Sequence, residues 1–208
     1  MKETIMKTFI IALRATLVTL VVTGLIYPLC MTGLAQAFFP SAAKGSLAHD
    51  EAGRVVGSRL LAQGFTNPAY FQPRPSAAGN GYDALSSGGS NFGPTSAKLQ
   101  ERVKADMARL ARENPTVPGP IPVELVTASA SGLDPHLSPE AARWQIPRVA
   151  HTRAVSPDRV AAAVEEAIVG RDLGFLGEPT VNVLELNLAL DHLFGTPPTQ
   201  EPHVTAAN

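Results

Sequence analysis

Residues 15–43 read ATLVTLVVTGLIYPLCMTGLAQAFFPSAA, and none of them is charged. An α-helix rises about 1.5 Å per residue, so about 20 such residues cross the roughly 30 Å hydrocarbon core of a bilayer. Ala15 to Leu34 alone suffices, and the remainder gives slack for tilt. No other part of the chain runs as far without a charge. The fold class this predicts is a single N-terminal transmembrane helix plus one α/β (α+β) soluble domain with long ordered polar loops. The expected boundaries are a cytoplasmic N-terminus at 1–11, the membrane helix at 12–36, an extracytoplasmic domain at 37–195 and a flexible tail at 196–208.

Lys2, Lys7 and Arg14 lie on one side of the span, and only Lys44 lies close on the other. Positive charge favours the cytoplasmic side, so the domain is expected outside the inner membrane. Ala35-Gln36-Ala37 has small residues at the spacing a signal peptidase prefers. The apolar run exceeds the 7–15 residues of a signal h-region, however, and reads as a retained anchor. Pro28 is tolerated in a membrane helix. Gly24 and Gly33, each beside a threonine, would let a partner helix approach closely. The single Cys30 lies in the span, so no disulfide can form within the domain. Lys and Arg number 17 against 18 Asp and Glu, and the net charge is −1. That balance excludes the basic footprint of a nucleic-acid binder.

After a small polar stalk, Arg54–Gly64 reads as a bulged strand or a short helix. FTNPAYFQPRPS (65–76) holds three prolines and cannot be an interior helix or central strand. It is expected to be an ordered extended loop with Phe65, Tyr70 and Phe71 turned inward. Arg74, fixed between two prolines, together with Tyr70 and Phe71, makes it a candidate partner contact. GNGYDALSSGGSNFGP (79–94) is glycine-dense, and Ser86, Ser87, Gly88, Gly89, Ser90 and Asn91 are candidates for a nucleotide loop because backbone amides can cradle an anion. No Walker lysine accompanies them, and no strand feeds into them.

Leu99, Val103, Met107 and Leu110 fall on one helical face, predicting a helix over 95–114. Val123–Thr127 is β-branched and reads as a strand. Ser138-Pro139-Glu140 and Ser156-Pro157-Asp158 each read as a helix start: a capping hydroxyl, a proline in the first turn, then an acid. The first helix is expected to stop before Pro147 and the second at Gly170, the two packing closely. Val181–Phe194 predicts a largely buried helix ending at Gly195. Asp134-Pro135-His136 invites an acid–imidazole reading, but Asp before Pro is also a common turn former. No nucleophile elbow, HExxH motif or metal-ligand spacing of the five histidines accompanies it.

Taken in order, several short runs resemble one family: Gly57-Ser58, Gln63, Phe65, Tyr70-Phe71, Arg74-Pro75-Ser76-Ala77 and Ser87–Asn91. Leu125–Ser129, Ser131–His136, Ser138-Pro139, Gly177-Glu178-Pro179 and Val183–Asn187 continue the series. Together they resemble the C-subunit family of the bacterial Kdp potassium-transporting P-type ATPases, from the anchor to about Asp191. The resemblance implies a complex with a channel-like potassium-translocating subunit, an ATP-hydrolysing subunit and a very small membrane peptide. It also implies a catalytic-chaperone role that raises the ATP affinity of the hydrolysing subunit, with no cofactor of the chain's own. The charge rule places residues 44–208 away from cytoplasmic ATP, so any such effect would pass through the anchor and the partners. The expectation is a non-catalytic accessory subunit in contact with the lipid bilayer. Its rival is a membrane-tethered periplasmic enzyme using Asp134 and His136.

Overall fold

The computed structural model describes residues 1–198; the remainder of the tail expected at 196–208 lies outside the described residues. The chain divides into two compact units, one ending at Leu47 and one beginning at Ala48.

The first unit is a helix over Lys2–Phe38, 37 residues with an apolar window of mean hydropathy 2.3 and none of that window buried. At about 1.5 Å per residue it is roughly 55 Å long, well beyond a hydrocarbon core. It starts ten residues before the expected span, so Lys2, Lys7 and Arg14 stand on its own first turns rather than on a preceding loop. It is regular in α1 (Lys2–Val21) and α2 (Tyr27–Phe38), with a π-helical turn at Val22–Ile26 between them. Pro28 explains the turn. It has no amide hydrogen to give Gly24, and its ring would crowd that carbonyl. The helix widens instead, and the Tyr27 amide reaches back five residues to Val22. The helix runs through Ala35-Gln36-Ala37 without a break, and one further turn, α3 (Pro40–Ala43), follows Phe39.

The second unit mixes helices with short antiparallel strands, an α+β arrangement. A ribbon of β1 (Leu47–His49) and β2 (Val55–Ser58) opens it. Long loops then lead to α4 (Ala97–Glu113) and a single 3₁₀ turn at Val123–Val126. β3 (His136–Leu137) is followed by α5 (Pro139–Arg153), α6 (Pro157–Glu166), β4 (Ile168–Val169), β5 (Thr180–Asn182) and α7 (Val183–Phe194). The sheet order is β3-β5-β4, with Leu137 opposite Val181 on one side and Ile168 opposite Val181 on the other. Phe71, Leu137, Val149, Val160, Val164, Val181, Leu186 and Leu190 fill the core between this sheet and α5, α6 and α7.

Four expectations need correction. Val123–Val126 is a 3₁₀ turn, not a strand: the prolines before it tighten the chain, Leu125 N–H bonds back to Pro122 O at 3.0 Å, and no strand among the described residues pairs with it. Its apolar residues bury Leu125 and Val126 all the same. α5 does not stop before Pro147 but continues to Arg153. The interior proline costs about 3 kcal/mol, which burial of Ile146, Val149 and Ala150 offsets. α6 ends at Glu166 rather than Gly170, because Ile168 leaves the helix to pair with Val181. The last helix gives up residues 181 and 182 to β5 and starts at Val183.

The expected packing of α5 against α6 is present, turned by Ala154 in the left-handed region. Ser138 caps α5 through its hydroxyl, which accepts the Ala141 amide at 3.2 Å, whereas Ser156 makes no such side-chain bond. At α7 the cap is Asn182, whose carbonyl oxygen accepts Glu185 N–H at 3.1 Å while its Nδ2 donates to Arg59 O at 2.8 Å. Asn182→Ala should therefore cost about 1–3 kcal/mol, a cap plus an orphaned carbonyl. Asn182→Asp, which keeps the acceptor, should cost less. Denaturant unfolding of the detergent-solubilised chain checks both, and equal losses would remove the cap from the explanation.

Candidate functional site

The proline-rich loop expected as extended over 65–76 instead makes a turn at 67–70, with Tyr70 N–H on Asn67 O at 3.1 Å, and then runs on without regular structure; Ala69, Phe71 and Pro73 are buried and the residues between them are half-buried. Prolines at 68 and 73 deny it a regular ladder, yet its buried backbone groups must still be paired. Side chains of α5 and α7 pair them. Asn187 acts as a strand edge, its Oδ1 accepting Phe71 N–H at 2.8 Å and its Nδ2 donating to Phe71 O at 2.9 Å. Gln145 does the same for Gln72, accepting its amide at 2.9 Å and donating to its carbonyl at 3.0 Å. Arg148 donates from Nη1 to Pro68 O and Tyr70 O, from Nη2 to Gln145 Oε1, and from Nε to Asn114 Oδ1. Burial pushes the Arg148 guanidinium down to about 10, which still leaves it charged at neutral pH.

Arg153 closes the same loop from the end of α5. Its side chain is 2% exposed; it donates to Ala69 O, forms an ion pair with Asp191 at 2.7 Å and lies 5.0 Å from the centre of the Tyr70 ring. Tyr70 in turn donates its hydroxyl to Asp191 at 2.8 Å. Burial, with the Asp191 carboxylate beside it, pushes the Tyr70 phenol up to about 12. Phe71 is completely buried in the core and presents no surface to a partner.

Arg74 emerges from this clamp into a second cluster, where it meets Asp134 at 3.1 Å. Asp134 also accepts the His136 amide at 3.1 Å, with His136 Nδ1 at 3.6 Å. The acid noted beside His136 is thus tied first to Arg74, the candidate docking residue. Ser76 is the hinge of the cluster: its hydroxyl donates to Gly132 O at 2.6 Å and accepts the Tyr82 amide at 2.7 Å. The Tyr82 hydroxyl donates to Arg74 O at 2.9 Å, and burial pushes it up to about 12.

The glycine-rich candidate loop packs against residues 130–132. Gly88 N–H donates to Ser131 O at 2.8 Å, and the Ser87 hydroxyl reaches the same oxygen at 3.0 Å. Ser86 N–H is taken by Asp83 O. A side chain at Gly89 would stand 2.9 Å from Ala130 O. Gly132 has φ +68°, and its added Cβ would lie 2.7 Å from Ala78 N and 2.8 Å from Gly88 O. Ser90 and Asn91 continue the loop toward α4, which starts six residues later. In the other unit, Gly24 and Gly33 sit on the exposed N-terminal helix, and nothing lies within 4 Å of a Cβ placed at Gly33.

An open groove of about 680 Å³ lies between the strand ribbon and α7. Its charges are largely paired: Asp50 with Arg54 at 2.7 Å and Arg59 with Glu185 at 3.0 Å. The Arg54 amide and guanidinium hold the Asp50 carboxyl below its usual range.

Sequence reasoning missed Gln145, Arg148, Arg153, Asn187 and Asp191. One signal was available, since 187 and 191 are one helical turn apart, as are 145 and 148. Ending the helix at Pro147 separated Gln145 from the two arginines and hid the pattern.

Residues 9–192 match the family described as KdpC, the K+-transporting ATPase c chain. The chain is similar to a potassium-transporting ATPase KdpC subunit of Myxococcus xanthus, 61% identical over 95% of this chain and 94% of the relative. A KdpC subunit of Koribacter versatilis is 52% identical over 94% of this chain and 98% of its own, and one of Rhodospirillum rubrum is 54% identical over 83% and 89%.

Replacing Asn187 by Leu strips two buried backbone partners from Phe71 and should cost about 2–6 kcal/mol, at 1–3 for each orphaned group. A loss under about 1 kcal/mol in denaturant titration would dismiss the clamp. The phenols give a pH dependence. Both pKa values are raised above their unfolded value of 10.0, so their contribution is intact below about pH 10 and is lost as pH rises toward 12. Tyr70→Phe should flatten part of that alkaline fall in melting temperature, and an unchanged slope would contradict it.

Proposed function

The chain belongs to the KdpC family, the c chains of K+-transporting ATPases, and we propose that it serves as a non-catalytic accessory subunit of an ATP-driven potassium uptake complex. Its N-terminal helix crosses the bacterial inner membrane with Lys2, Lys7 and Arg14 on the cytoplasmic side. The domain stands outside, over the potassium entrance, and stabilises assembly with the translocating subunit, the hydrolysing subunit and the small membrane peptide. ATP stays with the hydrolysing subunit, so any gain in ATP affinity travels through the anchor and the partners. Gly24 and Gly33 are the anchor's close-approach points for a partner helix.

One observation carries this reading: the polar loops that invite catalysis spend their groups on one another. Asp134 holds Arg74, Gly88 and Ser87 hold Ser131, and Ser76 holds Gly132. Such loops make a stiff body on a tether rather than an open site, and stiffness favours docking because little entropy is lost on contact.

Two measurements test it. With Cys30 replaced by Ala, Ser156→Cys should react with a membrane-impermeant maleimide in intact cells; labelling only after lysis would invert the orientation. A chain cut after the anchor should lose high-affinity potassium uptake, whereas Asp134→Ala with His136→Ala should lose only some stability. Near-complete loss of function in a stably folded double variant would restore the enzyme reading.

A further inference from the structure

The segment joining β4 to β5 reads GRDLGFLGEP over 170–179 and projects its largest apolar side chains outward. Leu173 is 83% exposed, Phe175 69% and Leu176 49%, with Val169 at the base 58% exposed. This is not a slack loop. Asp172 and Leu176 exchange backbone hydrogen bonds at 2.9 Å each way, Gly174 N–H bonds to Arg171 O, and Phe175 N–H bonds to Asp172 O. Arg171 and Glu178 close its neck with a 2.6 Å ion pair. Leu173 is held at φ +52°, a region a leucine enters at a cost, and is followed by Gly174 at +83° and Gly177 at +76°. Below the neck, Val181 is fully buried between both neighbouring strands, so the loop stands on a rigid mount.

We propose that this loop is a docking tooth that inserts Leu173 and Phe175 into an apolar pocket on another subunit of the same transporter. The inference rests on the reading of the chain as one subunit of a complex. A bilayer surface is the wrong occupant: interfacial segments carry free Lys or Arg for anionic headgroups, whereas Arg171 is taken by Glu178 and Asp172 adds a further negative charge. A second copy is the wrong occupant too, since three or four side chains fall well short of the roughly 800 Å² per partner of a stable dimer. What fits is a preformed pocket whose rim supplies positive charge or N–H donors to Asp172, whose carboxylate is exposed. Large apolar anchors seated in a desolvated pocket are how a small contact holds firmly, and a loop ordered beforehand loses little freedom on seating.

The test uses the full chain co-expressed with the other subunits of its ATPase. The unaltered chain should co-purify with them in mild detergent; if it does not, the subunit reading falls and the tooth with it. Given co-purification, Leu173→benzoylphenylalanine should photo-cross-link to another subunit of the complex. An adduct with lipid, an adduct with a second copy of this chain, or no adduct would each overturn the tooth and leave the subunit reading standing. Independently, Leu173→Ser with Phe175→Ser should lower retention in the complex by about tenfold or more. Both side chains are exposed, so the unfolding midpoint of the variant should not move. Unchanged retention would also overturn the proposal.

Discussion

The domain depends on how the irregular backbone of 68–72, which carries the buried Ala69 and Phe71, is kept paired. Prolines exclude the two ordinary solutions, helix and ladder, and Phe71 drags the segment into the core. An unpaired buried amide or carbonyl costs on the order of 1–3 kcal/mol, so several of them would consume most of a domain's net stability. Asn187, Gln145, Arg148 and Arg153 remove that cost by presenting side-chain amides and guanidinium groups where a neighbouring strand would have been. α5 and α7 are consequently fixed relative to each other through the loop as well as through their apolar faces. A change in any clamp residue should be felt at both helices, because no single helix owns the network.

The surface loops follow from the same constraint. Once 68–72 is anchored, Arg74 leaves the clamp in a fixed direction and meets Asp134, and Ser76 stitches the chain to Gly132. The 79–94 loop is then pressed against 130–132, where glycine is required at 132 because a side chain would strike two backbone atoms. Several polar groups that look available in a linear reading are engaged by this stitching. Here the Gly88 amide already points at Ser131, and Asp134 already serves an arginine.

The sequence revealed what depends on composition and on local period. The charge-free run announced the membrane helix, the four-four-three spacing announced α4, and the proline at the start of α5 and α6 announced both. It concealed what depends on partners distant in the chain. The two- and three-residue strands at 136, 168 and 180 carry no period that could be read, because their pairing is supplied by one another. Val123–Val126 shows the converse error: β-branched composition states a demand for burial, and a 3₁₀ turn meets that demand without an edge to pair with. Pro147 misled for a related reason. Its local cost is real, but packing of Val149 and Ala150 outweighs it, and the clamp arginines were lost from view with the second half of the helix. The Arg74–Asp134 pair, sixty residues apart, was legible only as two separate candidates.

A domain stiffened in this way has no need of exposed apolar side chains for its own stability, which makes the β4–β5 tip informative. Other exposed apolar residues of the domain, such as Leu60, Leu85 and Val123, are far apart in the chain. At 173, 175 and 176 such residues are gathered, ordered by backbone bonds and raised on the central strand of the sheet. That strand is continuous with α7, whose Asn182 ties it to Arg59 and whose Asn187 ties it to the proline-rich loop at Phe71. A load applied at the tip therefore passes into β5 and from there into the most heavily braced part of the domain, rather than into a hinge. Rigid transmission is what an accessory subunit requires if it holds an assembly together from a single tether.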